Sequence, residues 1–233
     1  MNFRKNQALL RIVWSLRFSN FLAQVLAMFI RTGRNVGYAQ TVRARSWMKS
    51  GFASPAPNFV KWEVLSRWGS DGTWIETGTY LGETTEFLSR TSALVISLEP
   101  SRELAELAIG KFINQEKVRI VQGTSEECLE QVLEKLSNNE IEEINFWLDG
   151  HYSAGFTFLG KNSCPIKFEL RAIESRIKDF GKLTIFVDDV RVFSEMNSRD
   201  KDYPTLSYLV KWADKQSLSW TIEHDIFVMT NAF

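Results

Sequence analysis

Trp74 to Thr85 reads WIETGTYLGETT. An apolar run ends at the acid Glu76, a turn with glycines at 78 and 82 follows, and a helical pattern begins after it. This is the signature of a strand, a tight loop and a helix in direct succession. Gly78 and Gly82 permit torsions and close approach that a side chain would obstruct, and the helix beyond them offers free N–H groups to a ligand. The spacing is not the G-x-G-x-x-G of dinucleotide-binding sheets. Here the glycines are four apart, with an acid two before the first.

Outward from this unit the same alternation repeats. Short β-rich runs lie at Thr73–Glu76, Leu94–Glu99, Val118–Gln122, Ile144–Asp149 and Leu183–Asp188, and a closing pair at Ser219–Glu223 and Ile226–Thr230. Helical patterns fill the gaps. Ser125 is placed to cap a helix with Leu129, Val132, Leu133 and Leu136 on its apolar face. Pro165 suits the first turn of another, with Ile166, Leu170, Ile173, Ile177 and Phe180 on its stripe and Gly181 closing it. Continuous apolar strands are buried on both faces, so the pattern predicts a doubly wound, mostly parallel α/β sheet. The last two strands, split by His224 and Asp225 as a turn, must be antiparallel.

In an open α/β sheet, ligands bind beyond the carboxyl ends of the strands. Four of the five parallel strands end in an acid: Glu76, Glu99, Asp149, and Asp188 with Asp189 beside it. Glu76 would repel a pyrophosphate and attract an ammonium group. Glu99, 23 residues further on, can accept hydrogen bonds from a ribose diol. Ammonium plus ribose describes S-adenosyl-L-methionine better than NAD. The expected cofactor-binding set is Glu76, Gly78, Thr79, Tyr80, Gly82, Thr84, Glu99, Thr124, Ser125 and Asp149. A tight turn with a solvated acid is the alternative reading of the first loop.

Together, WIETGTYLGETT, ISLEPS, FWLDGHYS, CPIKFEL and TIFVDDVR resemble the class I S-adenosylmethionine-dependent methyltransferases, and in their acids the macrocin-type, metal-dependent sugar O-methyltransferases. The likeness covers about Pro57 to Phe233. It implies a Rossmann-like, seven-stranded sheet of order 3-2-1-4-5-7-6, and methyl transfer to a hydroxyl of a small molecule or glycan. It departs in one place: Gly123-Thr124-Ser125 stands where such enzymes often carry Gly-Asp-Ser for the adenine amine.

That strand order makes strands four and five neighbours, about 4.8 Å apart, and so gathers Asp149, Asp188 and Asp189. Three carboxylates in one cleft repel unless a cation intervenes. An all-oxygen set favours a hard divalent ion, Mg²⁺ above Zn²⁺. The family's ion holds two neighbouring substrate oxygens. His151 is the candidate general base, since an imidazole accepts a proton near neutrality; Asp149, acting as the base without a metal, is the alternative. Asp149-Gly150 also reads as a simple turn, His151 as a structural or substrate-contact residue with Tyr152 its rival, and Asp189 as a cap with Asp188 alone pointing inward.

Net charge is zero, but its distribution is uneven. Ten Lys and Arg lie between Met1 and Trp62 (the last of them Lys61) with no acid, and all 28 Asp and Glu follow. Residues 1–56 therefore read as a basic, apolar helical extension and 57–233 as the methyltransferase domain. Arg11, Arg17 and Gln24 interrupt the apolar stretch, which argues against a spanning helix and a signal peptide. Residues 3–30 fit an amphipathic helix. It packs on its own domain, on a second copy in a homo-oligomer, or on an anionic membrane surface; an inactive membrane-surface binding protein is the reading from another class. The acidic body argues against nucleic acid as a partner. Cys128 and Cys164 lack metal spacing and fit a reducing, cytoplasmic setting, peripheral at the inner membrane if the extension binds lipid. The tryptophans read as packing.

Overall fold

The computed structural model describes residues 38–137, 141–150, 164–193 and 203–232. The chain divides between Phe52 and Ala53 into two compact units. In the first, helix α1 (Tyr38–Lys49) ends in a turn where the Ser50 hydroxyl donates to the Trp47 carbonyl at 2.7 Å and Trp47 meets Phe52 edge-on at 5.1 Å. The segment 3–30 lies outside the described residues. Among those described, no helix is long and apolar enough to cross a membrane.

The second unit opens with α2 (Asn58–Trp68) and then alternates: β1 (Thr73–Thr77), α3 (Glu83–Leu88), β2 (Leu94–Glu99), α4 (Arg102–Phe112), β3 (Val118–Gln122), α5 (Ser125–Ser137), β4 (Glu143–Leu148), α6 (Ile166–Arg176) and β5 (Lys182–Val187). It closes with α7 (Leu206–Lys215) and the hairpin β6 (Ser219–Glu223) and β7 (Ile226–Thr230). The seven strands form one sheet in the order β3-β2-β1-β4-β5-β7-β6. β1 to β5 are parallel, and β7 runs antiparallel to both β5 and β6. This is the Rossmann-like order that the family resemblance implied. His224 and Asp225 both take positive φ (48° and 73°), as a two-residue hairpin turn that matches strand twist requires.

Side-chain alternation sorts the parallel strands onto two faces. Ile75, Leu98, Phe146, Leu148, Ile185 and Val187 join Leu129, Leu133, Leu170, Ile173, Leu209 and Trp212 of α5, α6 and α7 in one buried cluster. The other face carries Trp74, Glu76, Ser97, Trp147 and Phe186, with Trp74 stacked on Phe186 at 5.5 Å. Helix α2 is tied to this side: Thr184 of β5 donates to the Trp68 carbonyl at 3.3 Å, and Trp62 stacks on Phe87 of α3 at 5.2 Å. Trp47, Trp62, Trp74, Trp147 and Trp212 are all buried, whereas Trp220 on the edge strand is 43% exposed. Cys128 and Cys164 are not joined in a disulfide.

Three local expectations are corrected. Thr124, not Ser125, caps α5: the N–H groups of Glu127 and Cys128 donate to its carbonyl, and its own N–H donates to Glu127 Oε2 at 3.4 Å. The Glu127 contact is the return half of a capping box, and T-S-E-E carries its signature. Pro165 precedes α6 as its cap residue, its carbonyl accepting from Phe168 and Glu169 N–H. β1 runs on to Thr77, whereas β4 and β5 stop at Leu148 and Val187, so Asp149 and Asp188 are the first residues beyond their strands.

Candidate active site

Strand register decides where the acids meet. Thr77 pairs with Leu98 and with Leu148, and Leu148 pairs with Val187. Glu99, Asp149 and Asp188 each follow one of these paired residues, so all three stand at one level of the same rim. The Asp149 N–H donates to the Thr77 carbonyl at 3.2 Å, and the Asp188 N–H to the Leu148 carbonyl at 3.1 Å. Glu76 lies on the same face of the sheet but two residues deeper, roughly 6–7 Å below that level.

That depth changes the character of Glu76. It is 1% exposed, and its Oε2 accepts from the hydroxyls of Thr85 at 2.5 Å and Ser97 at 2.6 Å. Burial pushes its carboxyl up to about 7, against the lowering effect of the Ser97 and Thr85 hydroxyls. Ser97 Oγ is also 2.5 Å from Thr79 Oγ1, so the network ties β1 and β2 to the glycine loop and α3. Near neutrality this carboxyl carries only part of a negative charge.

The glycine loop is bent back on the strand ends. Gly78 (φ 88°), Tyr80 (φ 49°) and Gly82 (φ 67°) all take left-handed torsions. A Cβ on Gly78 would stand 2.8 Å from the Asp149 carbonyl oxygen, so only glycine lets the loop touch the end of β4. The Tyr80 N–H donates to Glu99 Oε2 at 2.7 Å and the Ser101 N–H to Oε1 at 2.9 Å. Glu99 is thereby fixed with lone pairs to spare, since a carboxylate has about four acceptor sites. Thr84 Oγ1 accepts from Trp62 Nε1 at 3.2 Å and anchors α2. Thr124 and Ser125 follow β3 at the same end of the sheet.

The acids that follow β5 already have cations. The ammonium of Lys61 on α2 pairs with Asp188 Oδ2 and lies 3.6 Å from Asp189 Oδ1. Burial opposes the charge of Lys61, but Asp188, Asp149 and Asp189 outweigh it and hold the amine above its ordinary value. Asp189 adopts φ 56°, and its Oδ1 accepts from Arg191 at 2.6 Å. Arg191 also pairs with Asp225 in the hairpin turn. In the expected Mg²⁺ site at Asp149, Asp188 and Asp189, the ammonium and guanidinium already take Asp188 Oδ2 and Asp189 Oδ1 and would have to give way to an ion, whereas Asp188 Oδ1 is buried with no hydrogen-bond partner. Among the described residues no group of three or more His, Cys, Asp or Glu is placed to hold a metal ion.

Two residues escaped the sequence reading. Lys61 was counted with the basic front, although its neighbours Val60 and Trp62 are buried. Glu169, fully buried on α6, sits with Ile166, Leu170 and Ile173 on the apolar stripe, and an acid on that stripe is a readable signal. Its Oε1 lies 3.4 Å, and Thr77 Oγ1 3.2 Å, from where a Cβ on Gly150 would stand. His151 and its rival Tyr152 lie outside the described residues.

No protein-family model and no curated protein matches the chain. Solved structures do. A Staphylococcus aureus protein provisionally assigned as a caffeoyl-CoA O-methyltransferase aligns over 89% of this chain and 97% of its own, at 13% identity and a TM-score of 0.51. An O-methyltransferase from Bacillus cereus, in complex with SAH, aligns over 82% of this chain and 88% of its own, at 15% identity and a TM-score of 0.48. At such identities the first likeness speaks for the fold alone. The two chains share the Rossmann-like, seven-stranded fold.

Proposed function

We propose that this protein is an S-adenosylmethionine-dependent methyltransferase acting on a hydroxyl of a small molecule or glycan. The observation that carries the reading is Glu99: a buried carboxylate at the end of β2, pinned by the Tyr80 N–H of the adjoining glycine loop. Carboxylate and loop are then one unit that a ribose diol and the chain attached to it can engage. The glycines of this loop stand four apart, unlike the G-x-G-x-x-G that cradles a dinucleotide's pyrophosphate.

When bound, S-adenosylmethionine supplies an electrophilic methyl group on a sulfonium. The chain's own part is to hold and orient. Glu99 accepts the ribose hydroxyls, the backbone at Gly78 to Gly82 carries the amino-acid portion, and Thr124 and Ser125 flank the base. Asp149, on the same rim, orients the acceptor hydroxyl. The hydroxyl that would take the methyl group passes its proton to a base, His151 or Asp149 itself. Proximity of the two reactants provides much of the acceleration.

The test is a thermal-shift panel on the full chain with S-adenosylmethionine, S-adenosylhomocysteine and NAD. A ligand bound only by the folded form must raise the melting temperature. The proposal predicts concentration-dependent rises with both adenosyl compounds and none with NAD. The reverse pattern, or no rise at all, contradicts it.

A further inference from the structure

The acids expected to collect a divalent ion collect a lysine, and its placement is built into the fold. The Asp188 side chain has no exposed surface and that of Lys61 only 13%. Helix α2, which carries Lys61, is anchored along its length. Asn58 donates to Glu83 at 3.0 Å, Trp62 to Thr84 at 3.2 Å and Trp68 to Glu223 at 2.8 Å, and the Trp68 carbonyl accepts from Thr184. These four partners lie in three separate elements, α3, β5 and β6. Lys61 thus projects from a fixed backbone into the carboxylates. A divalent ion bound to Asp188 Oδ2 and Asp189 Oδ1 would sit within a few ångströms of the ammonium, where two cations repel strongly at the low effective dielectric of a buried site. Mg²⁺ also demands near-ideal octahedral ligation, whereas Asp189 Oδ1 is already drawn towards Arg191 at 2.6 Å.

We propose that Lys61 is the resident cation of this rim, holding Asp188 and Asp189 in the place expected for a divalent ion, and that the protein works without a divalent metal. Lys61 is then a positioning residue. The inference rests on the methyltransferase reading for its meaning to the reaction, but its test needs neither donor nor acceptor. Free Mn²⁺ is measured by electron paramagnetic resonance while the full chain, stripped with EDTA and dialysed, is titrated with Mn²⁺ alone. The wild type is expected to bind no Mn²⁺ that Asp188→Asn removes. Lys61→Met, of similar length but neutral, frees the carboxylates and is expected to gain one Mn²⁺ per chain, lost again in Lys61→Met/Asp188→Asn.

One Mn²⁺ per wild-type chain that Asp188→Asn abolishes would overturn the proposal. So would a folded Lys61→Met, judged by near-ultraviolet circular dichroism, that gains no Mn²⁺. If Lys61→Met does not fold, the wild-type and Asp188→Asn titrations decide alone. S-adenosylhomocysteine binding, measured separately by calorimetry, tells failure of this inference from failure of the methyltransferase reading.

Discussion

Lys61 of α2 and Asp188 at the end of β5, 127 positions apart in the chain, form an ion pair whose carboxylate is wholly buried. Removing one member of such a pair strands the other's charge in a dry site, which costs about 3–5 kcal/mol, whereas removing both relieves it. Lys61→Ala and Asp188→Ala should each destabilise the fold by about that much, and the double variant by clearly less than the sum. Urea unfolding in a double-mutant cycle reads this directly; additive losses would show that the two side chains do not support each other.

Glu76 gives the fold a pH dependence of definite sign. Its carboxyl titrates at about 7 when folded, because burial raises it, against an ordinary value of 4.5. The folded protein therefore holds this proton more tightly than the unfolded chain. The contribution is most favourable below about 4.5, declines as pH rises towards 7, and is flat above, a loss on the order of 3 kcal/mol. Glu76→Gln keeps an oxygen for the Thr85 and Ser97 hydroxyls but cannot ionise. Its stability relative to wild type should rise between pH 5 and pH 8 in urea titrations. Parallel curves across that range would refute the assignment.

Gly78 and Gly110 make a matched contrast. At Gly78 φ is 88° and an added Cβ would press on the Asp149 carbonyl, whereas at Gly110 on α4 a Cβ meets nothing within 4 Å. Gly78→Ala should cost on the order of 1–3 kcal/mol and weaken S-adenosylhomocysteine binding as the loop shifts. Gly110→Ala should stabilise by roughly 0.5–1 kcal/mol, since alanine replaces glycine inside a helix. Thermal unfolding of the pair checks both signs.

Asp149 is assigned to the acceptor and not chiefly to the donor. Asp149→Asn should lower turnover of S-adenosylmethionine by roughly 100-fold or more, measured over a panel of hydroxylated small molecules and glycans, with S-adenosylhomocysteine affinity largely retained. Equal loss of both would move Asp149 to the donor side.

The strands were legible because burial on both faces leaves unbroken apolar runs such as LVISLE and LTIFVD. Four of their ends were legible to within a residue because an acid interrupts the run. Adjacency of Asp149 and Asp188 followed once strand order was inferred. What could not be read was the depth of Glu76, because one further strand residue, Thr77, turns a surface acid into a buried one. Nor could the role of Lys61 be read, because an ion pair across 127 positions leaves no mark in local spacing. The cap at Thr124 was missed although the T-x-x-E pattern was present; two adjacent hydroxyl residues compete for one position, and only the reciprocal partner Glu127 chooses between them.

The central claim is that Glu99 and the loop it pins receive an adenosyl ribose. The direct measurement is isothermal titration of S-adenosylhomocysteine into the wild-type chain and into Glu99→Ala. The predicted result is saturable, one-to-one binding by the wild type, weakened roughly 10- to 100-fold in Glu99→Ala, the worth of hydrogen bonds to a charged acceptor. Equal affinity in the two proteins, or no binding by the wild type, would contradict it.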